Sequence, residues 1–146
     1  MILLDASVLV SAYRRKPPNG KDSAAAIALR RMIGAGMALG IPAIVLQEVL
    51  AGVQNKTQFQ ELQSHLTAFR ILPATAEDHV QAAQLAATCS AKRIAYTSSA
   101  ALIVAQAKHG GWRLCTLDGE LMAVARLGGV VLVGKGETAS ETRRGG

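Results

Sequence analysis

Apolar positions along this chain follow two rhythms: short unbroken runs, and longer stretches in which they recur every three or four residues. Ile2-Leu3-Leu4 is a wholly apolar run ending at Asp5, the pattern of a strand buried on both faces. Ser7 then stands where it can cap a short helix through Ala12, and Asp22 or Ser23 opens a helix rich in Ala, Leu and Arg that Gly34 and Gly36 bring to an end. Leu39–Pro42 reads as a second strand, followed by a helix from Ile44 to Val53. A polar helix covers Asn55–Thr67, and Phe69–Pro73 forms a third strand. Thr75 followed three residues later by Asp78 has the sense of a capping box, so a long helix runs to about Ala91. Thr97, Ser98 and Ser99 offer another cap before the helix Ala100–Lys108, which Gly110 and Gly111 terminate. Trp112–Thr116 makes a fourth strand, Gly119–Ala125 a short helix, and Val130–Val133 a last strand. Strands alternating with helices predict an α/β/α sandwich around a central, mainly parallel sheet of four to five strands.

Composition narrows this further. The 146 residues suit one domain, and aromatics make up only 3% of them, so the core must be built from Ala, Leu, Val and Ile. The longest uncharged stretch, Met32–Gln47, is broken by glycines and Pro42 and is shorter than the roughly 18 to 20 apolar residues a membrane span needs. No export signal precedes the first apolar run, which places the chain in the cytoplasm, with Cys89 and Cys115 as free thiols. The net charge of +6 favours polyanionic partners, nucleic acid first. Arg14, Arg15 and Lys16 form a basic loop suited to an RNA backbone. His65, His79 and His109 share no ligand spacing and fall on solvated helix faces.

The chemistry points to carboxylates. In an open parallel sheet, reactive groups gather beyond the carboxyl ends of the strands, and Asp5 and Asp118 each stand at such a strand end. Singly, each also fits an ordinary capping or turn aspartate. At about 100° per residue, Glu48 falls between Ile44 and Val45 on the circumference of its helix, which turns its carboxylate toward the core. No base lies within the segment from Ala43 until Lys56, so a cation is the economical compensation, with an arginine from elsewhere in the fold as the alternative. Three acids without His or Cys are hard oxygen ligands for Mg²⁺ or Mn²⁺, and such a set hydrolyses phosphodiesters. Thr116 and Ser7 are placed to support Asp118 and Asp5 by hydrogen bonds.

Four segments in order, ILLDASVLV, PAIVLQEVLAG, ALIVAQAKHGG and CTLDGEL, together resemble the PIN-domain nucleases, and among them the VapC-type toxins of toxin–antitoxin pairs. The resemblance runs from about Met1 to Val133. It implies a metal-dependent ribonuclease domain over residues 1–136, with 137–146 as a flexible polar tail. It also implies a homodimer and a VapB-type antitoxin that blocks the acidic pocket. Asp5, Glu48 and Asp118 match acidic positions of the family, and Thr116 matches its hydroxyl residue. The further acid that the family carries at the start of its penultimate helix is Ala100 here. Ala100 is either an inactivating replacement or a natural departure, and either one weakens metal binding and catalysis. A second class remains open, a non-catalytic module that binds RNA or an antitoxin-type protein through its acidic pocket. A phosphoacceptor receiver domain fits less well, because Asp5 is followed by Ala6 and Ser7 rather than by another acid.

Overall fold

A computed structural model describes residues 1–13 and 20–134. The basic loop Arg14, Arg15 and Lys16 and the tail 137–146 lie outside the described residues. Among those described, four strands, β1 (Ile2–Leu4), β2 (Leu39–Pro42), β3 (Arg70–Leu72) and β4 (Arg113–Cys115), form one parallel sheet in the order β3-β2-β1-β4. Seven helices surround it: α1 (Ala6–Tyr13), α2 (Ala24–Gly34), α3 (Ala43–Ala51), α4 (Lys56–Thr67), α5 (Ala76–Ala91), α6 (Ser98–Gly110) and α7 (Gly119–Leu127). This is the α/β/α sandwich the apolar rhythm predicts. Leu3, Leu4, Ile41 and Leu114 are fully buried, so the sheet has no wet face and its strands need no alternation of apolar and polar residues.

The sheet register sets up the site. Ile2, Leu3 and Leu4 pair with Arg113, Leu114 and Cys115, and Asp5 N–H continues the ladder to the Cys115 carbonyl at 3.3 Å. The first residues beyond both strands, Asp5 and Thr116, therefore emerge side by side at the carboxyl edge. α6 reaches the opposite edge through Gly110 and Gly111. Gly111 takes φ +65°, and a Cβ on Gly110 would lie 2.2 Å from the Trp112 ring, so this tight return into β4 requires both glycines. Because α6 runs directly into the start of β4, its N-terminus points back toward the carboxyl edge. α5 lies antiparallel to it, as the contact between Asp78 near the start of α5 and His109 near the end of α6 requires. The α5–α6 turn is thus also at the carboxyl edge. Gln106, buried in mid-α6, fastens this layer to the sheet by donating to the Leu72 carbonyl at 3.1 Å.

Two local expectations are corrected. Val130–Val133 does not form a strand; a single parallel bridge joins Leu132 to Leu114. Ser7 does not cap α1. It sits within the helix, and Asp5 takes the capping position, accepting from Val8 N–H at 3.3 Å.

Candidate active site

Asp5 is only 4% exposed although it carries a carboxylate. The sequence holds it there through neutral donors. The Ser7 hydroxyl donates to Oδ1 at 2.6 Å, Val8 N–H donates to the same oxygen, and the Thr116 hydroxyl donates to Oδ2 at 2.6 Å. Each hydroxyl has one proton, and both are spent on Asp5, so the 3.3 Å approach of Ser7 Oγ to Thr116 Oγ1 is a contact without a proton of its own. The hydroxyl lone pairs are used as well: Ser7 Oγ accepts from Leu117 N–H at 2.9 Å and Thr116 Oγ1 from Asp118 N–H at 3.0 Å. Two strand ends are thereby sewn together around one carboxylate. Three of its acceptor positions are filled, and among the described residues nothing takes the remaining lone pair on Oδ2.

Asp118 follows on the same edge, exposed to solvent. Its Oδ1 caps α7 by accepting from Glu120 N–H at 2.9 Å and Leu121 N–H at 3.3 Å, so the capping role that a lone aspartate suggests is real. Its Oδ2 has no partner among the described residues. Cys115, between Asp5 and Arg113, reports the local field. Burial and the negative charge of Asp5 push its thiol up to about 11 despite Arg113, which keeps it protonated and unsuited to nucleophilic chemistry.

Glu48 departs from its expected orientation. It is exposed rather than turned to the core, because the buried stripe of α3 is centred on Val45 and Val49 and Glu48 lies on its flank. Ala100 is 6% exposed and belongs to the main apolar core, with its N–H donating to the Thr97 hydroxyl at 3.0 Å. Among the described residues no three His, Cys, Asp or Glu side chains come together closely enough to hold a metal ion. Asp5 and Asp118 offer open hard-oxygen lone pairs, but the set as it stands does not make a complete cation site.

Sequence reasoning missed a second buried acid. Asp78, also 4% exposed, closes the capping box with the Thr75 backbone N–H at 2.8 Å and pairs with His109 Nδ1 at 2.7 Å. Burial pushes its carboxyl up, but the Thr75 N–H and the His109 ring outweigh this and hold it below the usual carboxylate value. The hydrogen bond and charge of Asp78 in turn raise His109 above its ordinary 6.5. The capping pattern was legible, but the histidine partner, 31 residues away, was not. The thiols are free, as expected, with Cys89 buried and Cys115 partly so.

The sequence matches the PIN domain profile over residues 2–127, and the chain belongs to that family. Its fold is that of the VapC-type toxins. It is similar to FitAcB from Neisseria gonorrhoeae, with 21% identity, a TM-score of 0.70, and 92% of this chain and 97% of the other covered. It is similar to VapBC2 from Rickettsia felis bound to a promoter DNA fragment, with 20% identity, a TM-score of 0.72, and 91% and 98% covered. It is also similar to VapC20 from Mycobacterium tuberculosis, described as a sarcin-ricin loop cleaving toxin, with 16% identity, a TM-score of 0.63, and 84% and 94% covered. No curated protein matches the sequence significantly. No helix among the described residues is long and apolar enough to cross a membrane.

Proposed function

We propose that this chain is the toxin of a toxin–antitoxin pair, an endoribonuclease of the Mg²⁺- or Mn²⁺-dependent type whose hydrolysis of RNA phosphodiesters is impaired by Ala100. The observation that carries this reading is Asp5, a carboxylate held by neutral donors in a nearly dry site, with one lone pair untaken among the described residues and Asp118 on the same edge of the sheet. Such burial is costly without a compensating charge, and among the described residues no cation pairs with it. Glu48, exposed on α3, would be the third acid in this reading, and Ser7 and Thr116 the groups that orient Asp5. Similarity to toxin–antitoxin complexes such as FitAcB and VapBC2 supports a VapB-type antitoxin as partner. A homodimer and a cytoplasmic site of action belong to the same reading.

A second reading has its own support. With Ala100 buried in apolar surroundings and no group of three ligands gathered among the described residues, the carboxylates at this edge also suit a binding role without catalysis, accepting a cationic side chain from an antitoxin. Ala100→Asp separates the two. RNA cleavage with Mn²⁺ or Mg²⁺ should rise at least about tenfold over the parent chain, while the metal-free Tm falls because a carboxylate enters the core. Absence of cleavage by both proteins removes the nuclease assignment and leaves the binding module, whereas equal cleavage by both removes the impairment assigned to Ala100.

A further inference from the structure

The α5–α6 turn carries a residue choice that the fold does not need. Lys92 N–H bonds to the Thr88 carbonyl, Arg93 N–H to Ser90 at 3.2 Å and Ile94 N–H to Cys89 at 2.9 Å, which is the Schellman pattern at a helix end. Its left-handed position belongs by preference to glycine or asparagine. Here it is Arg93, with φ +57°, the only non-glycine residue among those described with positive φ. The Arg93 side chain is exposed and pairs with no acid among the described residues, and the same holds for Lys92. Strain retained for a side chain that stabilises nothing visible points to a role outside the fold.

The neighbourhood specifies that role. From residue 79 to 117 the sequence contains no Asp or Glu, so Lys92 and Arg93 meet no acid along the chain at this turn; Lys108 and Arg113 lie at the other end of α6. No acid in the first turn of α6 offsets the two cations at its entrance. Three residues after Arg93, Tyr96 is 37% exposed, a large ring left facing solvent. The turn lies on the carboxyl edge, on the side where Asp5 and Asp118 open. Paired cations beside an exposed aromatic are the elements of single-strand recognition, in which phosphates are met electrostatically and a base stacks on the ring. An acidic protein segment would use the cations but has no need of the ring.

We propose that the α5–α6 turn is a shelf for single-stranded RNA, with Lys92 and Arg93 holding backbone phosphates and Tyr96 stacking on a base. The proposal rests on the ribonuclease reading and deepens it by naming how substrate is held. It is tested by fluorescence anisotropy of a short labelled single-stranded RNA in EDTA, with salt varied between about 50 and 200 mM. Lys92→Gln combined with Arg93→Gly should reduce the slope of log K against log salt by about 1.4, at about 0.7 per charge for single strands. Tyr96→Ala should weaken binding roughly 5- to 150-fold with the slope unchanged, and Tyr96→Phe should retain affinity. Arg93→Gly alone should weaken RNA binding while raising Tm by a few degrees, opposite signs that a structural arginine would not give. Parent binding that none of these variants alters overturns the shelf and leaves the nuclease reading standing. Binding lost with the two cations but indifferent to Tyr96 overturns the shelf as proposed, leaving a phosphate contact without base stacking. A parent chain with no affinity for RNA, together with no cleavage by the Ala100→Asp protein, overturns both.

Discussion

Two aspartates in this protein are equally buried and differently used. Asp78 sits at the start of α5 with its charge answered by His109 and its oxygens committed to the Thr75 backbone and the imidazole. Asp5 sits at the end of β1 with only neutral donors around it and an acceptor position left open. A buried carboxylate is tolerated when a cation and hydrogen bonds satisfy it, and Asp78 meets that condition within the fold. Asp5 meets half of it. Burial therefore does not distinguish a structural acid from a functional one here; what is left unanswered around the charge does.

The comparison is sharpest in activity. Asp5→Asn introduced into the Ala100→Asp protein should abolish the cleavage gained there, by about 100-fold or more in a single-turnover RNA assay; retained cleavage would remove Asp5 from the chemistry. The next effect is on stability and concerns the other aspartate. Asp78→Ala strips the capping box and leaves the Thr75 N–H unpaired, and should cost about 2 kcal/mol, roughly 4–8 °C in Tm by calorimetry. Asp5→Asn in the parent chain should go the other way, raising Tm by roughly 2–4 °C, because the amide removes an uncompensated charge while its oxygen still accepts from Ser7 and Val8 N–H and only the Thr116 hydroxyl has to turn and accept from the new NH2. A fall in Tm as large as that of Asp78→Ala would erase the distinction between the two sites.

The smallest effect is the pH dependence of the Asp78–His109 pair. His109 is raised above 6.5, so its contribution is complete below that pH and is lost as pH climbs through the folded value. Asp78 is lowered from 3.8, so its contribution is complete above that pH and is lost as pH falls through its folded value. The pair therefore supports the fold best between about pH 4 and 6.5. His109→Gln should flatten the decline of Tm on the alkaline side of that window and leave the Asp5 variants' Tm differences unchanged.

Much of this architecture was legible in the linear chain because it depends on local chemistry. Ile2-Leu3-Leu4 reads as a doubly buried strand, Ser23, Asn55, Thr75 and Thr97 cap the helices that follow them, and Gly110-Gly111 ends α6. These features need only neighbours within a few residues. Glu48 shows where such reasoning stops. Its angular position fell between Ile44 and Val45, on an arc read as facing the core, and only the packing of α3 through Val45 and Val49 decided that this arc's Glu48 side faces water. The Val130–Val133 run was apolar enough for a strand, but in the fold it meets β4 only through the Leu132–Leu114 bridge.

The sequence by itself determined which residues carry charge, where the strands end and that alanine stands at position 100, since residue identity and short-range pattern are properties of the chain alone. Tertiary structure decided that Ser7 and Thr116, 109 residues apart, both spend their protons on Asp5, and that His109 answers Asp78. Those choices depend on the register of β1 against β4 and on the antiparallel packing of α5 on α6, and long-range geometry of that kind is not encoded in any local window.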